Sequence, residues 1–198
     1  MAFIAERMQK DAITRLEALG GTAVEIDFEP FASAAALLYA GPWVAERTHA
    51  LAAMLRDRPD AIHPVVRGIV QGGQAYSAVD AFDGLYRLEA LRQRTGPVWD
   101  AIDVMLVPTS GTIYRVAEVE ADPVALNSNL GYYTNFVNLM DLAALAVPNG
   151  FQADGLPAGV TLIAPAWSDG FLAGLGEAFH RAAGLPLGAT GQALPPGG

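Results

Sequence analysis

Two short apolar runs lie close together in the C-terminal third of the chain, and a proline follows each of them. Residues 145–147 run into Pro148, and residues 160–163 end just before Pro165, with a connection rich in Gly, Pro and Asp between the two runs. Short uninterrupted apolar runs bounded by turn residues are typical of buried strands. We therefore predict that the two runs pair in a sheet against which the rest of the chain packs.

Most of the chain before these runs has apolar residues at helical spacing. The spacing predicts helices over residues 6–19, 31–39, 42–56, 61–73, 77–94 and 123–129. In the first of these, Met8, Ala12, Leu16 and Leu19 form one apolar stripe. A further helix is predicted after Ser168, which is a suitable N-cap. Its inward-facing residues are predicted to be Phe171, Leu172, Leu175, Ala178 and Phe179.

Two further segments have the pattern of strands. Residues 22–28 alternate Val24, Ile26 and Phe28 with polar residues, and residues 103–108 form an apolar run that ends at Pro108. Thr109, Ser110 and Thr112 follow that second segment, and open α/β sheets place ligands at the carboxyl ends of their strands. The alternation of helices and strands predicts an α/β fold. We expect one domain over residues 1–187 and a flexible Gly/Pro-rich tail over residues 188–198.

Composition limits the classes of partner. The 198 residues are 52% apolar and carry a formal net charge of -9, which favours a globular core and disfavours nucleic acid or an anionic membrane as partner. No apolar run approaches the length that spans a bilayer, and the N-terminus has no signal-peptide pattern, so we expect a cytoplasmic protein.

Motifs for metal or nucleophilic catalysis are missing from the sequence. The three histidines, His49, His63 and His180, are far apart in the chain, and we expect no metal and no cofactor. None of the five serines lies in a G-x-S-x-G pattern, and the single lysine, Lys10, falls on the polar side of the first predicted helix. We therefore expect no complete catalytic set in this chain.

One pair of residues does suggest binding. Tyr39 and Arg47 flank Gly41-Pro42-Trp43 at the junction of two predicted helices. The Arg47 guanidinium can hold a planar carboxylate through two parallel hydrogen bonds, with the Tyr39 hydroxyl assisting. The alternative is that Arg47 pairs with a nearby acid, Glu46 or Asp57, and that Tyr39 belongs to the core.

The region of the two apolar runs also resembles a known family. Residues 138–148 (NLMDLAALAVP) and 155–165 (GLPAGVTLIAP) resemble the C-terminal core of amidase-signature hydrolases, N-x-x-G-x-P-A-x-x-x-P followed by G-L-P-x-G-x-Q-x-x-x-P. Asp141, Ala143 and Thr161 depart from that pattern in the manner of the allophanate hydrolase branch. Residues 39–47, 107–114 and 126–138 are similar to the same branch, and the resemblance covers roughly residues 5–185.

The resemblance implies a fold, an activity and a binding role. The fold is part of the amidase-signature fold, a mixed β-sheet covered by α-helices. The activity is hydrolysis of allophanate, the N-carboxylate of urea, to ammonia and carbon dioxide. The family's Ser, cis-Ser and Lys triad lies in the N-terminal half of the amidase domain, which has no counterpart here, so we expect no catalytic residue in this chain and no activity from it alone.

The resemblance also assigns candidate binding residues and partners. Tyr39 and Arg47 match the residues that hold the substrate carboxylate, while Thr109, Thr112 and Tyr114 match a loop near the pocket. We expect the small-molecule amide allophanate as substrate. Because the isolated strands would leave an apolar sheet edge, we also expect the missing N-terminal half or a second copy of the chain as partner.

Two other interpretations remain open at this point. The chain could be part of another amidase-signature enzyme, such as a general amidase or one subunit of an amidotransferase, although the spacing of Tyr39 and Arg47 disfavours this. It could also be a non-catalytic binding or assembly module.

Overall fold

The computed structural model describes the backbone of residues 2–195 and the side chains of residues 9–195. The chain divides into two compact units. The first, here the sheet unit, contains Met1–Ile26, Trp99–Ile113 and Asp141–Gly198, and the second, here the helical unit, contains Asp27–Val98 and Tyr114–Met140. The assignment of residues 1–187 to one amidase domain and of 188–198 to a flexible tail stays a prediction.

Helices and strands together confirm the α/β class. In chain order the elements are α1 (Ala2–Ala18), α2 (Glu29–Ala40), α3 (Trp43–Ala50), α4 (Ala52–Asp57), α5 (Pro64–Gly72), α6 (Ala78–Ala101), β1 (Met105–Pro108), α7 (Val116–Ala121), α8 (Ala125–Leu130), α9 (Phe136–Leu139), β2 (Leu142–Phe151), β3 (Pro157–Pro165) and α10 (Asp169–Ala183). The helix predicted over residues 42–56 is two helices, α3 and α4, interrupted at Leu51.

The two apolar runs that were predicted to pair form the centre of the sheet unit. They belong to β2 and β3, which lie antiparallel with Leu145 opposite Leu162 and Val147 opposite Val160. β1 pairs antiparallel with the other side of β3, in the order β1-β3-β2. Among the described strands, β3 is therefore the central one, and the unpaired edges belong to β1 and β2.

Helices α1 and α10 supply the apolar side chains that cover one face of this sheet. The buried core there consists of Ala12, Val147, Val160, Leu162, Ala164, Leu172 and Phe179. Gly176 lets α10 approach β2, because a Cβ at that position would lie 2.4 Å from Leu145 Cδ2. The Met8 side chain lies outside the described residues. Phe171 is 49% exposed, so its predicted inward orientation is wrong.

The helical unit has an aromatic core where α2 meets α9. The rings of Phe31 and Phe136, both fully buried, lie 5.1 Å apart, and the ring of Phe28 lies 5.7 Å from Phe136. The strand predicted over residues 22–28 is wrong, because this segment joins no sheet in the described part of the chain. The apolar residues that alternate with polar ones in this segment do not face a partner strand. The last of them, Phe28, packs in the aromatic cluster instead.

The helices carry no sign of a membrane span. In the part of the chain that the structure describes, none of them is both long enough and apolar enough to cross a bilayer.

Candidate functional site

The structure brings Tyr39 and Arg47 together. Tyr39 lies in the last turn of α2, Arg47 lies in α3, and the Arg47 Cζ atom lies 5.1 Å from the centroid of the Tyr39 ring. A guanidinium within about 6 Å of an aromatic ring is attracted by the electrons of the ring face. The ring therefore helps to hold the guanidinium at the junction of the two helices.

Two glycines allow this junction to be tight. A Cβ at Gly41 would lie 2.4 Å from the Leu37 carbonyl oxygen, so any side chain there would displace the end of α2. A Cβ at Gly84, in α6, would lie 2.5 Å from Pro42 Cγ. Because both approaches need the absence of a side chain, α6 packs directly against the Gly41-Pro42 turn and fixes its position.

Helix α3 is also anchored to α5. The Thr48 hydroxyl oxygen lies 2.9 Å from the Val44 carbonyl oxygen and 2.5 Å from that of Val70, so its one proton is within reach of its own helix and of the last turn of α5. A Cβ at Gly73 would lie 2.6 Å from the Val44 carbonyl oxygen. The helix that carries Arg47 is thus held in place by α5 and by the turn that follows it.

The surroundings of Arg47 leave its hydrogen-bonding edge available. Its side chain is half-buried, and no carboxylate within the described residues lies close enough to form an ion pair with it. Asp57, one of the two acids considered as partners, pairs with Arg56 instead, at 2.8 Å. Tyr39 is 41% exposed rather than part of the core. The Arg47 Cζ atom lies over the Tyr39 ring at 5.1 Å from its centroid, and the guanidinium carries five N–H donors, more than one aromatic contact uses.

In the sheet unit, Thr109 is tied to β3. Its backbone N–H donates to the Gly159 carbonyl oxygen at 3.1 Å, and its hydroxyl lies 2.9 Å from the hydroxyl of Thr161. A Cβ at Gly159 would lie 3.2 Å from Thr109 Oγ1, so a glycine there leaves room for the threonine. The loop after β1 therefore begins in a fixed position relative to β3.

The other two candidate residues make separate contacts. The Thr112 carbonyl oxygen accepts a hydrogen bond from the Ser110 hydroxyl at 3.0 Å, which closes the loop on itself. In the helical unit, the Tyr114 hydroxyl accepts a hydrogen bond from Asn129 Nδ2 at 3.2 Å. Of the five candidates, Tyr39, Arg47 and Tyr114 thus lie in one unit and Thr109 and Thr112 in the other.

Sequence reasoning did not identify Thr161 as a partner of Thr109. The sequence shows threonine at position 161, where the amidase pattern has glutamine. It does not show that the partner of this threonine is Thr109, 52 positions away. Thr161 is 4% exposed, so its hydroxyl is a buried polar group that needs a hydrogen bond.

The described residues provide no metal site, and one open depression lies apart from the candidates. Within residues 9–195, no group of three or more His, Cys, Asp or Glu side chains is arranged to hold a metal ion. An open depression of about 280 Å³ lies in the sheet unit, lined by Trp99, Ile102, Asp103, Pro165 and Phe171. None of the five candidate residues lines it.

Comparison with known proteins defines the class to which this fold and these residues belong. The family model described as Amidase matches residues 4–172. The chain therefore belongs to the amidase family, and the predicted family resemblance is confirmed.

Individual relatives narrow the comparison. The chain is 43% identical over 161 residues to the urea amidolyase of Saccharomyces cerevisiae, which covers 80% of this chain and 9% of that protein. It is 39% identical to the solved allophanate hydrolase of Kluyveromyces lactis, with a TM-score of 0.86 over 90% of this chain and 30% of that one. A solved subunit of the glutamyl-tRNA(Gln) amidotransferase of Thermotoga maritima, 20% identical with a TM-score of 0.63 over 89% of this chain and 37% of that one, shares the fold. The chain thus spans less than a third of the first relatives that it matches.

Proposed function

We propose that this chain supplies the substrate-carboxylate clamp of an allophanate hydrolase, with Arg47 and Tyr39 as the clamp. The observation that carries the proposal is the half-buried Arg47, whose guanidinium lies over the Tyr39 ring and has no carboxylate partner in the described residues. A guanidinium in this position has N–H donors available for an anionic ligand.

The chemistry of allophanate suits this arrangement. Allophanate carries a planar carboxylate beside the amide that is hydrolysed, and a guanidinium binds a carboxylate through two parallel N–H···O hydrogen bonds in one plane. The Tyr39 ring attracts the guanidinium without using its N–H donors in hydrogen bonds, so these donors can bind the carboxylate at the same time. The Tyr39 hydroxyl then donates to a carboxylate oxygen that the guanidinium leaves available.

The degree of similarity supports this branch of the family over the alternatives. Two yeast urea amidolyases are 43% and 40% identical to the chain, over 80% and 89% of its length. Amidotransferase subunits from Corynebacterium glutamicum and Dinoroseobacter shibae are 35% and 36% identical, over 59% and 62% of its length. The higher identity to the urea amidolyases than to the amidotransferase subunits favours allophanate as substrate. A cytoplasmic location stays a prediction from the sequence.

We infer that the nucleophile and its activating lysine come from outside this chain. In the family that it resembles, the serine attacks the amide carbonyl, the lysine accepts the serine proton through the second serine, and backbone N–H groups stabilise the oxyanion. This chain orients the substrate for that attack, which lowers the barrier by positioning rather than by bond making. On its own it is inactive.

The test is a complementation assay that measures ammonia release from allophanate. The chain alone, a separately produced N-terminal half of an allophanate hydrolase amidase domain, and the mixture of the two are compared. The proposal predicts activity only in the mixture. Activity of the chain alone would contradict the assignment of the nucleophile, and a mixture that forms a complex but hydrolyses no allophanate would contradict the proposed function.

A further inference from the structure

Helix α3, which carries Arg47, needs its neighbours to hold its direction. It has eight residues, and its N-cap residue, Pro42, forms no side-chain capping bond. A helix of fewer than about 12 residues is marginal by itself in water, so tertiary contacts decide where such a helix lies. Within α3, which the structure describes in full, Val44 is the one buried residue. The apolar packing of α3 therefore depends largely on a single side chain.

Thr48 adds a polar contact one turn after Val44. Its hydroxyl oxygen lies 2.9 Å from the Val44 carbonyl oxygen in the same helix and 2.5 Å from the Val70 carbonyl oxygen in α5. The hydroxyl has one proton to donate, and the Val70 oxygen is the nearer acceptor. The contact with Val70 joins two helices, whereas the contact with Val44 stays within one.

Gly73 keeps this contact close. It follows α5 directly, and a Cβ there would collide with Thr48 Oγ1 and lie 2.6 Å from the Val44 carbonyl oxygen. The backbone at Gly73 thus fills the space beside the Thr48 hydroxyl. The hydroxyl therefore has little room for another position.

The contact of Thr48 with α5 fixes the direction in which Arg47 projects. Consecutive residues project about 100° apart around a helix, so α3 cannot turn about its axis without moving both side chains. Side chains at the helix surface lie about 5–6 Å from the axis, where a rotation of about 10° moves them by about 1 Å. A displacement of this size weakens two parallel hydrogen bonds to a planar carboxylate.

We propose that Thr48 is a positioning residue of the carboxylate clamp. It does not contact the substrate. Its hydrogen bond to Val70 sets the rotation of α3 and so directs the Arg47 guanidinium. This inference rests on the proposed function, because it takes the carboxylate of allophanate as the ligand of Arg47. The preference for allophanate then depends on an interaction that the substrate does not touch.

The first test compares kcat/KM for allophanate and for biuret, in which an amide replaces the carboxylate, in the chain complemented with the N-terminal half. Thr48→Val removes the hydroxyl and puts a methyl group where the 2.5 Å approach to Val70 is made. We expect kcat/KM for allophanate to fall about threefold to tenfold and that for biuret to stay unchanged. Thr48→Ala, which adds no methyl group there, should show the same selective loss. Thr48→Ser should retain the original values, because it retains the hydroxyl.

Thr95→Val is the matched control. Thr95 is 2% exposed in α6, within the same unit, and its hydroxyl lies 3.0 Å from the Leu91 carbonyl oxygen and 3.1 Å from that of Arg92. Because both of these contacts lie within α6, removing the hydroxyl should leave the ratio of the two kcat/KM values unchanged, even where it lowers the stability of the fold.

A double-mutant cycle with Arg47→Ala separates positioning from general stability. If Thr48 acts through Arg47, adding Thr48→Val to Arg47→Ala should lower kcat/KM for allophanate by at most about twofold more. If Thr48 only stabilised the fold, its replacement would lower kcat/KM by the same factor in both backgrounds.

A second measurement uses the chain alone. The Tyr39 ring shifts the NMR signal of the Arg47 Nε–H group, since Arg47 Cζ lies 5.1 Å from the ring centroid. Thr48→Val and Thr48→Ala should each move this signal, because the guanidinium changes its position relative to the ring. Thr95→Val should leave the signal in place. Tyr39→Leu measures the contribution of the ring itself.

The outcomes distinguish this inference from the proposed function. If Arg47→Ala leaves kcat/KM for allophanate unchanged, the clamp is wrong and the role of Thr48 is wrong with it. If Arg47→Ala lowers this value, the positioning role alone is overturned by any of three results for Thr48→Val: no loss, an equal loss for both substrates, or a loss that adds fully to that of Arg47→Ala. An Arg47 signal that is the same in the unaltered chain and in both Thr48 variants would overturn it as well.

Discussion

The hydroxyl oxygens of Thr109 and Thr161 lie 2.9 Å apart and join the loop after β1 to the middle of β3. Thr161 also stands directly opposite Val107 in the ladder between these strands, so the threonine pair extends their contact beyond Pro108. The bond is part-buried, which makes it an attachment point for the loop that carries Thr109 and Thr112.

Replacing Thr161 with valine should therefore destabilise the sheet unit. The change keeps the shape but leaves the Thr109 hydroxyl without its partner, and we expect a loss of about 1 kcal/mol in the free energy of unfolding. Thr161→Ser should retain most of the stability, because it retains the hydroxyl. Chemical denaturation measures both.

A double-mutant cycle with Thr109→Val isolates the interaction itself. If the two hydroxyls bond to each other, the double variant should be more stable than the sum of the two single losses predicts. Strictly additive losses would show that the two side chains do not interact.

The junction that holds Tyr39 and Arg47 depends on Gly84. Gly84→Ala places a methyl group 2.5 Å from Pro42 Cγ, so the proline must move, and overpacking of this kind costs about 1–3 kcal/mol. Alanine's better helix propensity offsets about 1 kcal/mol of this, and the variant should still be less stable than the original chain.

Gly68→Ala is the control for that change. Gly68 lies in α5 of the same unit, and nothing lies within 4 Å of a Cβ placed there, so alanine should stabilise the chain by about 1 kcal/mol. Thermal unfolding of the two variants should therefore shift in opposite directions. A Gly84→Ala chain that is more stable than the original would show that Pro42 is not closely packed.

The start of α6 provides a prediction on pH dependence. The Ser77 hydroxyl donates to Asp80 Oδ2 at 2.6 Å and the Ser77 backbone N–H donates to the same oxygen at 2.8 Å. These bonds, the hydroxyl's first, hold the pKa of Asp80 below its usual value. A carboxyl group with a lowered pKa stabilises the fold above its ordinary pKa, and this contribution is lost as the pH falls through the lowered value.

Ser77→Ala should raise the pKa of Asp80 towards its usual value and reduce this acid-range dependence of stability. Carboxyl titration by NMR measures the pKa, and melting at a series of acidic pH values measures the stability. Ser168→Ala is the control, because Ser168 precedes α10 without forming a side-chain capping bond. An unchanged Asp80 titration in Ser77→Ala would contradict the assignment.

The sequence predicted the elements that are marked by patterns among neighbouring residues. The apolar runs in β2 and β3 and the Ser77 start of α6 were all identified correctly, because burial and capping leave their signature in neighbouring residues. The predicted strand ending at Phe28 failed because alternation alone does not reveal whether a partner strand exists. The ring of Phe28 instead contacts Phe31 and Phe136.

For the candidate site, the sequence indicated the helix junction but not the long-range contacts that support it. The sequence placed Tyr39 and Arg47 on either side of Gly41-Pro42-Trp43 at a helix junction. The structure brings the Arg47 Cζ atom to 5.1 Å from the Tyr39 ring centroid, and their role in binding stays a prediction. The contacts of Gly84 with the same turn could not be predicted, because a glycine in a helix gives no sign of what packs against it. The distant pairing of Thr109 with Thr161 was hidden for the same reason.

The clamp assignment is tested most directly by kcat/KM of Arg47→Ala in the complemented enzyme, measured with allophanate and with biuret. Biuret has an amide where allophanate has its carboxylate. We predict that kcat/KM for allophanate falls about tenfold to a hundredfold, equivalent to about 1.4–2.7 kcal/mol, while the value for biuret is unchanged. Arg56→Ala, which removes an exposed arginine already paired with Asp57, should alter neither. An unchanged kcat/KM for allophanate in Arg47→Ala, or an equal loss for both substrates, would contradict the clamp.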